Sequence, residues 1–405
     1  MKTVEEHYRD VLALAAPVED MTVELAQAQH LVLAEDAVAH NAIPPFTNSA
    51  MDGFAVRAAD VRPGTVLRVI DDIPAGGFSH LRVTEGTTSR IMTGAPLPAG
   101  ADAVLKVEDT EGQMANMRAT SPSSIVACSE VASGANVRHV GEDIASGAVA
   151  FRSGTRINPA HVAALAALGY GTVRVYRRLR IGIIATGQEL TTPGQPLEQG
   201  RIPDSNSYLV AGLCQDANTT VIPVSLHSDD HLKFISQLER VATKCDLIIT
   251  TGGISAGAFD VVKAALSSTG VTFAKVAMQP GKPQGWGTIN GTPIVCLPGN
   301  PVSVFVSFHL FVLPLIRTMQ GESGKRFADL FTIGQAGVSW RHKTGRDQFL
   351  PAMLGENGVE PAAIGGSGSH LVGSLPKAQF LAVTPANVER INVGDVISVL
   401  PFMLI

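Results

Sequence analysis

The sequence predicts a multidomain chain of α/β and β parts. A central three-layer α/β domain with a mostly parallel sheet is joined by a β-rich module, a helical linking domain and a C-terminal β-barrel-like domain. Three observations predict this. A chain of 405 residues exceeds what one hydrophobic core serves, which sets a prior of roughly two to four domains. Residues 180–320 alternate short β-branched runs with helical runs, the rhythm of a parallel sheet covered on both faces. Residues 41–139 and the stretch after 325 carry β-branched runs split by Gly and Pro.

Residues 1 to about 35 alternate acids with Val4, Val11, Leu12 and Leu14 and, beyond Pro17, with Val23, Leu25 and Leu31, a spacing that predicts two short amphipathic helices. In AIPPFTNSAMDGFAV the paired prolines demand extended chain before Asp52-Gly53 offers a turn. Asn158-Pro159 makes an N-cap and first-turn pair for a helix placed to pack on the N-terminal helices. The domain limits follow as 1–40 with 140–174 for the linking domain, 41–139 for the β module, 175–322 for the central domain and 323–405 for the C-terminal one.

Composition limits the function. A 45% hydrophobic and 17% charged chain with net charge −5 and no basic block is globular and offers no polyphosphate-neutralising face; 5% aromatic residues give little for base stacking. No nucleic-acid partner is expected, and any anion must be held in a local pocket. Cys128, Cys214, Cys245 and Cys296 lie far apart without a CxxC pair, as expected of reduced core thiols in a cytoplasmic protein. The acidic N-terminus lacks a signal-peptide pattern, and Ile294–Ile316 is interrupted by Pro298, Asn300, Pro301, His309 and Pro314, so no membrane span is expected.

In an open α/β sheet ligands bind beyond the carboxyl ends of the strands. Three loops lie there. ATGQEL sets Glu189 after Gly187; TTGGISAGAFD offers Gly252, Gly253, Ser255 and Asp260; LPGNPVS presents Gly299, with Asn300 as a cap and Pro301 in the first helical position. Glycine- and proline-bearing loops at one sheet edge point to a phosphate or other oxyanion, although each loop alone could merely end a strand and Asp260 merely cap a helix. Lys275 and Lys282 flank the Pro280-Gly281 turn, and Lys282 is constrained between Gly281 and Pro283; solvated surface lysines are the alternative. Arg346 in KTGRDQFLP provides a guanidinium fork, or else an exposed salt bridge. Asp52, Asp143, Glu189, Asp229 and Asp260 are loop acids of the kind that hold magnesium together with substrate phosphates, or that cap helices. GxGxxG after a first strand, GxxxxGK[ST] and GxSxG are all absent.

The motifs PPFTNSAMDGFAV, RIMTGAPLPAGADAV, GEDIASGAV, IGIIATGQEL, PDSNSYLV, TTGGISAGAFD, QPGKPQGWG, LPGNPVSVFVSF and GRDQF span nearly the whole chain. In this order they resemble the molybdopterin molybdenumtransferases, the MoeA and gephyrin E-domain family. The resemblance implies a homodimer of four-part subunits that cleaves adenylylated molybdopterin with Mg2+, inserts molybdate into the dithiolene and releases AMP. It also implies contact with the molybdopterin adenylyltransferase that acts before it. By the same resemblance Asp52, Thr93, Asp143, Glu189, Asp229, Asp260, Pro298 and Pro301 fall on positions needed for activity, with Glu189, Asp229 and Asp260 as the metal set. Ser255, Lys275, Lys282, Arg346 and Ser369 would lie near the pterin phosphate or molybdate, and the β module would reach the partner subunit's pocket. Departures from the family pattern are Gln279 for a common lysine, Gln188 for an aspartate and Pro351 for an arginine, which put oxyanion affinity or choice in question. A non-catalytic molybdopterin-binding or scaffold relative, or an adenylyltransferase, are the alternatives.

Overall fold

Successive residues of a strand face opposite sides, so alternation along the central strands decides how the middle of the chain is layered. The computed structural model describes residues 1–113, 120–225, 231–254, 261–267, 269–363, 368 and 370–402. On Arg180–Ala185, Ile181 and Ile183 enter one core and Ile184 the other; on Leu247–Thr251, Leu247 and Ile249 part from Ile248 in the same way. On Thr292–Leu297, Val295 and Leu297 part from Ile294 and Cys296. The first core is closed by the helix Asn206–Asp216, through Val210 and Cys214, and by the long helix starting at Pro301. The second is closed by His231–Ala242 and Val261–Leu266, through Phe234, Leu238, Val262 and Leu266. Each fully buried aliphatic side chain contributes roughly 1.5–3 kcal/mol relative to exposure.

The sheet order is Thr220–Ser225, Arg180–Ala185, Leu247–Thr251, Thr292–Leu297, Pro283–Ile289, Val271–Lys275. The first four strands are parallel; Pro283–Ile289 runs against them, and Val271–Lys275 pairs antiparallel with Pro283–Ile289. Asn290-Gly291 explains the reversal, since both residues have positive φ (50° and 84°) and close a two-residue hairpin between Ile289 and Thr292. The long helix runs from Pro301 to Met319 with one wider turn at Phe308–Val312. Among the described residues it is the one helix long and apolar enough to cross a membrane, and 78% of its apolar window is buried inside the protein.

The N-terminal region corrects two expectations. Val4–Leu12 is a helix with a complete capping box at Thr3 and Glu6, but Asp20–Glu24 is a strand and Leu25–Gln27 a short 3-10 turn. Pairing of Asp20–Glu24 with Thr172–Tyr176, more than a hundred residues on, overrides the helical spacing of Val23, Leu25 and Leu31. The helix Pro159–Ala167 accordingly packs on this three-stranded sheet and its 3-10 turn, whereas Val4–Leu12 buries Tyr8 and Val11 in the central core.

Paired segments carry the chain out to the β module and back, Ala37–Val38 with Val149–Phe151 and Asn48–Ser49 with Val137–Arg138. The module is a five-stranded sheet ordered Ala103–Lys106, Gly53–Val56, Thr87–Ile91, Val66–Ile73, Ser124–Val126. Toward the C-terminus, Thr332–Gln335, Val396–Pro401, Phe380–Thr384, Asp347–Gly355 and Gly358–Pro361 pair in succession. A bridge from Ala336 to Val359 brings the last strand back beside the first. The result is a multidomain fold of mixed sheets with few helices. All four cysteines are free; Cys214, Cys245 and Cys296 are buried, whereas Cys128 is exposed and so is not core filler. Burial pushes the Cys296 thiol up to about 12 and the Cys245 thiol to about 11, which keeps both protonated and unreactive.

Candidate functional site

At the carboxyl ends of the parallel strands three loops meet around a cavity of about 490 Å³. The loop after Arg180–Ala185 contributes Glu189, whose carboxylate folds over Gly187. Gly187 has a φ of 148°, a backbone conformation that favours glycine over residues with a side chain. The loop after Leu247–Thr251 contributes Gly252 and Gly253, with φ of 87° and 66°. A side chain on Gly252 would meet the Thr186 carbonyl at 2.7 Å, and the Gly252 N–H donates to Leu297 O at 3.1 Å. The loop after Thr292–Leu297 contributes Pro298, Gly299 and Asn300. Main-chain contacts thus hold the three loops together before any guest arrives.

Asn300 occupies the N-cap position of the long helix, with Pro301 in its first turn, but its side chain makes no capping bond. The expected cap is therefore not formed, because the Asn300 side chain lines the cavity instead. A helix start without its cap is a natural anion site, since its amides carry partial positive charge. Ser303, on the first turn, lines the same cavity.

Cationic groups line the same cavity. Lys282 lies in the turn after Gly281, whose φ is 97°, and its carbonyl accepts from Val276 N at 2.8 Å, which fixes the stem of the side chain. Arg346 enters from the C-terminal domain, placed by parallel pairing of Met278–Gln279 with Asp347 and Gln348. Its Nη2 donates to Gln279 Oε1 at 3.3 Å. An amide oxygen orients the guanidinium without neutralising it, so the charge stays available to an oxyanion. Glu189 is the one carboxylate lining the cavity among the described residues.

The structure does not place every expected residue here. Lys275 lines an adjoining cavity of about 310 Å³ that shares Ile254, Lys282 and Pro283 with the first. In the β module, Thr93 N and Oγ1 both donate to Asp52 Oδ1 at 2.7 Å. Gly53 makes that position reachable, because a Cβ there would lie 2.2 Å from Leu105 O. Asp143 is exposed, with its N–H donating to Ile43 O at 3.0 Å. Asp52, Thr93 and Asp143 do not line this chain's own cavity. Asp229, Ser255, Asp260 and Ser369 lie outside the described residues. Of the two other departures, Gln188 is exposed and Pro351 is buried in the C-terminal sheet.

Sequence reasoning missed Asn206, whose Nδ2 donates to Gly299 O at 2.7 Å and ties the start of one helix to the loop of another. It also missed Ser303 and Met278 as lining residues. PDSNSYLV held the signal for Asn206, since buried Asp204 caps that helix through Ser207 N at 3.0 Å and so aims the first turn at the loop.

No group of three or more His, Cys, Asp or Glu side chains forms a metal cluster among the described residues. Magnesium commonly needs only one or two carboxylates together with phosphate oxygens, and Glu189 supplies one such ligand at the cavity. The donor set present fits a metal held jointly with a substrate.

Glycine loops at parallel strand ends, a helix start, a lysine and an amide-held arginine enclose one cavity of an α/β domain within a larger chain. The comparisons identify the family of that chain. Three family models match in chain order: "MoeA N-terminal region (domain I and II)" over residues 2–169, "Probable molybdopterin binding domain" over 182–318 and "MoeA C-terminal region (domain IV)" over 334–402. The chain is similar to molybdopterin molybdenumtransferase 2 of Mycobacterium tuberculosis (strain ATCC 25618 / H37Rv), at 40% identity over 414 residues, covering 98% of this chain and 99% of that one. It is similar also to the molybdopterin molybdenumtransferase of Haemophilus influenzae, 32% identical over 397 residues and covering 96% and 95%. Among solved structures, a molybdopterin biosynthesis moeA protein from Pyrococcus horikoshii OT3 matches with a TM-score of 0.84 at 28% identity, covering 99% of this chain and 100% of that one. The chain belongs to the MoeA family, whose curated members named here are molybdopterin molybdenumtransferases.

Proposed function

We propose that this chain is a molybdopterin molybdenumtransferase of molybdenum cofactor biosynthesis. It binds adenylylated molybdopterin and molybdate, cleaves the phosphoanhydride, and yields AMP and a metal-loaded dithiolene. The observation that carries this reading is the strand-end cavity, lined by Lys282, Arg346, the start of the long helix and Glu189, its one acid among the described residues. Such a site favours an oxyanion and draws it toward fixed donors that need no rearrangement. Lys282 and the amides beyond Asn300 hold oxyanion charge; Arg346, oriented by Gln279, sets its geometry. Glu189 with Asp229 and Asp260 would hold magnesium, which when bound neutralises phosphate charge. No protein nucleophile is required.

In this reading a second copy of the chain completes the site. Asp52 and Thr93 lie on the β module and Asp143 just beyond it in the linking domain, all outside the cavity of their own chain, and would serve the cavity of a dimer partner. The division at residues 1–40 with 140–174, 41–139, 175–322 and 323–405, and a C-terminal domain of barrel type, belong to the same proposal. The deciding experiment supplies the purified full chain with adenylylated molybdopterin, magnesium and molybdate. AMP release and cofactor that activates a molybdenum-free apoenzyme are expected. Tight pterin binding with neither product would instead assign the chain a binding or scaffold role.

A further inference from the structure

One buried amide joins two walls of the strand-end cavity. Gln284, 1% exposed, is the second residue of the strand Pro283–Ile289 and pairs in register with Ala274. Its Nε2 donates to Gly281 O and to Ser307 Oγ, both at 2.7 Å. Gly281 O can only accept, so the amide nitrogen must face it, which fixes the orientation of the side chain. Gly281 belongs to the turn that carries Lys282. Ser307, wholly buried, lies four residues beyond Ser303 and so on the same face of the long helix. The turn packs directly on this strut: a Cβ at Gly281, whose φ is 97°, would lie 3.0 Å from Ser307 Oγ and 3.3 Å from Gln284 Nε2. Gln284 Oε1 is also buried and has no hydrogen-bond partner among the described residues. An apolar side chain of similar size would avoid the cost of that oxygen, so what glutamine adds here is the pair of N–H bonds.

Lys282 and Arg346 attract any dianion, so charge alone does not separate anions of equal charge and shape. Discrimination between them needs a cavity of fixed width, held by residues behind its lining. We infer that Gln284 is a positioning residue: through Gly281 and Ser307 it fixes the gap between the Lys282 turn and the start of the long helix, and with it the size of tetrahedral oxyanion preferred. Two short bonds to one buried amide resist widening of that gap, because opening it strips a donor from the Gly281 carbonyl or the Ser307 hydroxyl. That the guest is molybdate rests on the function proposed above, while the strut rests on its hydrogen bonds.

The test titrates the full-length protein with molybdate and, separately, with sulfate, a smaller dianion of the same shape. Gln284→Met should lower the molybdate-to-sulfate affinity ratio about tenfold, and Ser307→Ala about threefold. The double variant should match Gln284→Met alone, because both changes cut one strut. Val306→Ala, a buried change on the same helix that removes no hydrogen bond, should lower the melting temperature and leave the ratio within about twofold. A ratio that Gln284→Met leaves unchanged, or that Val306→Ala lowers equally, would overturn the inference and make the glutamine a stability element. Should Gln284→Met fail to fold, Ser307→Ala against Val306→Ala decides in the same way. A ratio that depends on Gln284 in a protein releasing no AMP from adenylylated molybdopterin would sink the functional reading and leave the positioning role standing; AMP release with a ratio indifferent to Gln284 and Ser307 would do the reverse.

Discussion

The helices Pro159–Ala167 and Pro301–Met319 both start after an asparagine and with a proline, yet they meet the same shortage of hydrogen-bond partners in opposite ways. Asn158 Oδ1 accepts from His161 N at 2.9 Å, and the His161 ring returns a bond to the Asn158 N–H, so the first turn is satisfied within the chain. Asn300 makes no such bond, and the start of its helix opens on the cavity between Gly299 and Ser303. The same Asn-Pro dipeptide therefore starts one helix with its cap bond formed and another with the asparagine lining a cavity, and the difference lies in what surrounds them.

Removing a cation from the open end should have the largest effect. Lys282→Gln is expected to cut AMP release about a hundredfold, the scale of losing one preorganised electrostatic donor, with little change in melting temperature. A rate near that of the unaltered protein would break the comparison, because the open helix start would then have no charged counterpart.

Unsatisfied groups in the core, in contrast, only cost stability. His7 is fully buried, both its ring nitrogens lack hydrogen-bond partners among the described residues, and it packs edge-on against Trp286 and Phe311 at 4.9 and 4.5 Å. Burial pushes its pKa down to about 4. Because the unfolded chain binds the proton more readily, stability is complete above the ordinary histidine value near 6.5 and declines as pH falls toward 4. Urea unfolding at pH 7 and pH 5 should differ by roughly 2 kcal/mol from this residue, and His7→Leu should flatten that part of the slope. His309, equally buried and also pushed down to about 4, adds a slope that His7→Leu leaves in place.

The helix starts can also be exchanged. Asn300→Asp would place a carboxylate at a partly positive terminus, raising stability by about 0.5 kcal/mol while lowering molybdate affinity about tenfold, as calorimetry can read. Asn158→Ala should do the opposite, costing about 1 kcal/mol in denaturant unfolding with turnover unchanged. If both variants lose stability and neither loses affinity, the two starts are equivalent after all.

Much of the central domain was legible because its signals are local. The strand-helix rhythm, the glycines at 252 and 253 and the Asn158-Pro159 start each act within a few residues, and each has a counterpart in the structure. What escaped depends on distant partners. Val23, Leu25 and Leu31 are spaced like a helix, but the strand Thr172–Tyr176 claims Asp20–Glu24. Gln279 reads from sequence as a lost cation, and only the fold brings Arg346 to its amide oxygen. Asn290-Gly291 is a local hairpin signal, and it reverses Pro283–Ile289, whose first residue pairs with Lys275 and follows Lys282.

The short ladder between Met278–Gln279 and Asp347–Gln348 links two parts of the chain through main-chain atoms alone. Asp347 N donates to Ala277 O at 3.0 Å, so the spacing between Lys282 and Arg346 is ruled by backbone register, like marks on a gauge. A side chain along that gauge, such as Gln279 beneath Arg346, can then alter how the cation is aimed while the main-chain frame stays the same.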